Sequence, residues 1–183
     1  MIKMTSFLLL SVISLYGTAS GGAVAHPHDA PPPLEESYTE IGYKTVEEAV
    51  REFEIYCKKD LKLPYRLPPV PFTHQFGRFH SDREYGINDS LEIKYIHEKT
   101  GINHFRITVR PVKTKFDFGN KGTQTIYALK DGKKAAYIAH GYHRMLVFEK
   151  DGWQYVLGID RRIEDKVTPE MLVSIADSIG FKP

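Results

Sequence analysis

From Leu91 onward, apolar and polar residues alternate. Leu91, Ile93 and Tyr95 are separated by Glu92 and Lys94, and Phe105, Ile107 and Val109 by Arg106 and Thr108, with Arg110 next. A period of two places one set of side chains on each face of a strand, so these runs predict antiparallel strands with one dry and one wet face. Thr100-Gly101 lies between them as a turn. Four more runs, at residues 125–129, 135–140, 144–149 and 153–160, continue the pattern. Asp131-Gly132 and Asp151-Gly152 fall at two of the junctions, and Asp-Gly is a strong hairpin signal.

The period lengthens at the two ends of this region. Val46, Ala49, Val50, Phe53 and Cys57 recur at helical spacing behind Thr45, a good N-cap. Glu47 and Glu48 in the first turn and Lys58 and Lys59 near the end suit the helix dipole, so the spacing predicts a helix over 46–60. Thr168-Pro169 opens a second helix, with Met171, Leu172, Ile175, Ala176 and Ile179 as its stripe and Gly180 as its C-cap. Pro31 to Pro33 favour extended polyproline conformation, and residues 26–43 read as a flexible tether. The prolines between Leu63 and Phe72 make that stretch an extended connector, because each removes a ladder donor. Residues 73–90 are polar and glycine-dotted, and match no period. The fold class expected is α+β: an antiparallel meander sheet of about six strands, covered by an N-terminal and a C-terminal helix in one domain over 44–183.

The first 25 residues carry a different message. Lys3 precedes an apolar run from Phe7 to Tyr16, and small residues lead to Ala23-Val24-Ala25, the pattern after which signal peptidase cuts. A retained membrane anchor is the competing reading, but a span takes ~20 apolar residues and the run is about half that. Cleavage leaves 158 of the 183 residues, beginning at His26, and lowers the formal charge from +2 to +1 with the loss of Lys3. A chain so near neutrality lacks the basic footprint of a nucleic-acid binder. Cys57 is the single cysteine, so no internal disulfide forms. Its place on the helical stripe marks it as a buried thiol.

Residues 125–137, with Asp131-Gly132 at their turn, and 146–157, with Asp151-Gly152 and Trp153, resemble a domain of unknown function. That family occurs in exported proteins of endospore-forming Gram-positive bacteria and on the outer side of membrane proteins similar to anti-sigma factors. The closing stretch 168–179 is similar to its last helix, and the first helix with Leu63-Pro64 and Pro68-Pro69 is similar to its start. The resemblance covers residues 45–180 at most, implies an envelope location, and brings no catalytic residue with it.

Candidate chemistry is sparse. His140 and His143 share a turn and His97 and His104 flank another, but a metal site takes three or four ligands in a recognised spacing. His26, once exposed as a free N-terminus, offers an amine and an imidazole to copper. His28 at the third position completes no amino-terminal chelate, because Pro27 lacks the amide such a site uses. Asp82 and Glu84 beside His80 and Arg83 form a charged loop whose ordinary reading is a solvated one. Nucleophile elbows, phosphate loops and zinc-protease motifs are missing, and no cofactor is called for. Lys94, Arg106 and Arg110 fall on one wet face as a candidate anion or partner patch; Glu92 shares that face, and a mixed solvated surface is the plain alternative. The expectation is a secreted or wall-associated, non-enzymatic domain that binds an envelope protein or wall component. Its rival is an extracytoplasmic copper protein using His26.

Overall fold

A computed structural model describes residues 32–81, 88–119 and 121–180, all within one compact unit. Residues 1–25, expected to be a signal segment, His26 and His28, and the loop residues Asp82, Arg83 and Glu84 lie outside the described residues. Three α-helices are described: α1 (Leu34–Glu40), α2 (Val46–Cys57) and α3 (Pro169–Asp177). Seven strands are described: β1 (His74–His80), β2 (Ser90–Ile96), β3 (His104–Pro111), β4 (Thr123–Ala128), β5 (Lys134–His140), β6 (His143–Lys150) and β7 (Trp153–Asp160). No described helix is long and apolar enough to cross a membrane.

The strands make one antiparallel sheet in the order β1-β2-β3-β7-β6-β5-β4. Two meanders, β1 to β3 and β4 to β7, meet where β3 pairs β7. The central place of β7 follows from its composition, because every residue from Trp153 to Ile159 is buried. A strand buried along its length takes a central place, with a neighbour on either side.

Two features refine the sequence expectation. The antiparallel meander is as expected, and the described sheet has seven strands where about six were expected, the added one being β1, which forms where no period is visible. The reason is Gly77, which together with Phe79 faces α2. A Cβ at Gly77 would sit 2.7 Å from the Ala49 Cβ and 3.0 Å from the Val46 Cα, so α2 approaches too closely for any side chain. The position is buried, yet it carries no apolar group to mark it. Within the stretch 26–43 expected as a tether, Leu34–Glu40 instead form α1, and Tyr38 and Tyr43 are packed.

The helices end close to their predicted limits, with two small shifts. Thr45 and Glu48 form a full capping box at the start of α2. That helix stops at Cys57 rather than residue 60, since Lys58 adopts left-handed geometry at φ 52°. Helix α3 begins as expected with Thr168 accepting from the Met171 N–H, but Ser178 is its C-cap, and Gly180 turns two residues later.

The main core lies between one sheet face and the pair α2 and α3. Phe53, Leu172 and Ile175 meet Leu91, Ile107, Leu157 and Trp153 there. Cys57 packs at its margin, half-buried, and burial pushes its thiol pKa up, with Asp89 adding to the shift. A second, smaller cluster forms on the opposite face, where α1 lays Leu34 and Tyr38 over Tyr43, Phe76 and Ile96.

Candidate functional site

The face of the sheet turned away from α2 and α3 is where the polar alternates of each strand collect. Register places Arg78 opposite Glu92 and Lys94 opposite Arg106. Glu92 is the centre of the group. It accepts from the Tyr43 hydroxyl at 2.6 Å and from Arg78 at 3.2 Å, and lies 3.8 Å from both the Lys94 and Arg106 nitrogens. Burial opposes its charge, but the Tyr43 hydrogen bond and the three cations outweigh burial and hold its pKa below the usual carboxylate range. The Tyr43 hydroxyl is pushed well above its ordinary value by burial and by donating to Glu92.

Aromatic rings wall one side of this cluster. Tyr38 stacks on Phe76 at 4.4 Å and meets Tyr43 edge-on at 5.0 Å. The Arg78 guanidinium lies 4.4 Å from the Tyr43 ring centre, and the Lys94 ammonium 4.8 Å from it. Such contacts favour the charged forms without neutralising them. Lys94 is nevertheless lowered, first by burial and then by the neighbouring Arg78 and Arg106, with Glu92 opposing.

Next to Arg106 the sheet surface dips. Gly158 stands opposite both Arg106 and Met145, and its missing side chain leaves a trough of about 70 Å³ reached by His104, His143 and Asp160. Asp160 is engaged by Arg162, whose hydrogen bonds hold its pKa down to about 2. His104 has its Nε2 buried without a hydrogen-bond partner among the described residues.

Burial, then the charges of Lys94 and Arg106, lower the His104 pKa from its ordinary 6.5, with Glu92 and Asp160 opposing. The unfolded chain therefore takes up this proton first on acidification. The stability His104 contributes is complete above pH 6.5 and is lost as pH falls through its folded value. Urea midpoints measured from about pH 7 to about pH 5 are expected to fall, and His104→Gln to flatten that slope. An equally steep slope in the variant would refute the assignment.

The structure thus gathers two of the three residues of the predicted patch. Lys94 and Arg106 meet, joined by Arg78, Tyr43 and Glu92. Arg110 stands apart, about 13 Å further along β3 at the usual strand rise. It faces Gln154 and places its guanidinium 5.8 Å from the Phe116 ring. The histidines are also redistributed. His97 turns its Nδ1 into its own loop, accepting from the Lys99 and Thr100 N–H groups, while His104 stands opposite Ile96. His140 and His143 face each other across an exposed turn, and no group of three metal-ligating side chains occurs among the described residues.

The chemistry available is recognition of negative charge by a fixed set of donors. Comparisons with protein-family models, with curated proteins and with solved structures return no match.

Proposed function

We propose that this chain is an exported, non-enzymatic domain that binds an anionic group of a cell-envelope component through the polar face of β1, β2 and β3. The observation that carries the reading is the gathering of Arg78, Lys94 and Arg106 around Glu92, the one carboxylate they share among the described residues. Three cations on one carboxylate leave positive charge to spare, and Arg106 keeps 36 % of its side chain exposed. The apolar run before Ala25 and the resemblance to exported proteins of endospore-forming bacteria support the envelope address.

The test is in-situ photocrosslinking of the full chain, with a photoreactive residue replacing Met145 at the rim of the trough. A single recurrent adduct is expected, weakening with added salt as a screened charge contact does. Arg106→Glu should cut its yield about tenfold, corresponding to 1.4 kcal/mol of lost attraction. Adducts indistinguishable from those formed by a photoreactive residue at the exposed Tyr142 would refute the reading.

A further inference from the structure

The two edges of the sheet are finished differently. At the β1 edge, Lys44 and Gly77 exchange both backbone hydrogen bonds at 2.9 Å, so the chain entering α2 covers that edge. At the β4 edge, no described strand or loop backbone pairs with the outer side. Alternate residues of an antiparallel edge strand direct their N–H and C=O groups outward, ready to pair. Soluble proteins usually blunt such an edge with charge, proline or a bulge. The β4 sequence Thr-Gln-Thr-Ile-Tyr-Ala contains no charge and no proline, and all of it except Tyr127 is exposed.

Beside this edge, on the polar face, Ile126, Ala136 and Val147 floor an open depression of about 540 Å³. Ile126 is 58 % exposed, a large apolar side chain placed where a neighbouring strand would bury it. Lys133, Lys134 and Lys150 rim the depression, with Glu149 and Asp151 on its far side. Glu149 is already paired to Lys115 at 2.7 Å. Lys121 and Lys130 flank β4 at its two ends, both exposed.

We propose that the outer edge of β4 accepts an extended peptide as an additional strand, apolar or β-branched at its centre and acidic at its flanks. Main-chain hydrogen bonds would give affinity, and the alternate side chain entering the depression would give register. Charge selects the occupant. Antiparallel pairing of two copies centred on β4 would set Lys121 of one copy beside Lys130 of the other, whereas acidic flanks meet these lysines with opposite charge. This surface is at the far end of the sheet from Arg78 and Glu92, and does not depend on the function proposed for them.

The experiment is amide hydrogen exchange of the full chain with three synthetic peptides. One alternates Thr and Val between glutamates, one carries lysines in their place, and one is the acidic peptide N-methylated at alternate amides. The acidic peptide is expected to slow exchange at alternate residues of 123–128, to bind roughly tenfold more tightly than the lysine form, and to lose binding on N-methylation. Ile126→Glu, a change at an exposed position, should abolish the protection while the circular dichroism spectrum stays that of the parent. Three results would each overturn the proposal: no protection of β4 by the acidic peptide at millimolar concentration, binding indifferent to N-methylation, or protection without peptide that grows with protein concentration. The last would assign the edge to a second copy.

Discussion

Trp153→Ala is expected to lower the unfolding free energy by about 3–5 kcal/mol, the usual cost of deleting a buried large aromatic. The indole is 1 % exposed at the start of β7 and packs 5.0 Å from the Phe53 ring. Its Nε1–H donates to the Asp60 carbonyl at 3.1 Å, and Lys59 lies 5.1 Å from its ring centre. One side chain thus ties the end of α2, the turn after it and the central strand together. Against a total of roughly 5–15 kcal/mol for a domain, the alanine variant should lie near its folding limit. Trp153→Phe separates the contributions. Phenylalanine restores most of the packing but leaves the Asp60 carbonyl without its donor, a loss of about 1–3 kcal/mol. Urea denaturation followed by circular dichroism is the measurement, because Trp153 is the only tryptophan and the variants lose its fluorescence. An alanine variant within about 1 kcal/mol of the parent would refute this account of the corner.

Where side chains themselves form the pattern, the fold was legible. β2 and β3 alternate because Leu91, Ile93, Phe105, Ile107 and Val109 all enter one core, and their polar alternates Glu92, Lys94 and Arg106 share the opposite face. β1 was not legible, because close approach of α2 demands the absence of a side chain at Gly77, and an absence has no period. Helix α1 was hidden for another reason. At seven residues it is too short to stand by propensity alone, and it owes its place to Tyr38 stacking on Phe76. The site divides in the same way. Lys94 and Arg106 follow from alternation, whereas Arg78 needs β1, and the Tyr43 hydroxyl reaches Glu92 from 49 residues away. Arg110 shares the face by parity but stands too far along the strand, so parity alone merges two separate neighbourhoods.

Glu92→Gln should move stability and anion affinity in opposite directions. Glutamine keeps the shape and still accepts from the Tyr43 hydroxyl, but it removes the counter-charge shared by Arg78, Lys94 and Arg106. Glu92 is 18 % exposed, so its attraction to these cations is screened less than that of a surface pair. Arg78 and Arg106 keep about a third of their side chains in solvent, which limits the loss to about 1–3 kcal/mol. The pH dependence carries a definite sign. Glu92 has a folded pKa below its ordinary 4.5, so its contribution is complete above that pH and disappears as pH falls through the folded value. The gap between parent and variant in urea should therefore be widest near neutrality and close on acidification. A gap that persisted undiminished below the folded value would show that shape, not charge, makes Glu92 matter. In the same variant the three cations lose the carboxylate that opposes their charge, while Arg78 keeps the Ile41 carbonyl and the Tyr43 ring, and affinity for the proposed anionic component should rise several-fold. A fall in affinity together with stability would instead make Glu92 part of the binding surface, with the component offering a cation to it. That single pair of measurements decides whether the carboxylate restrains the cationic cluster or belongs to what the cluster recognises.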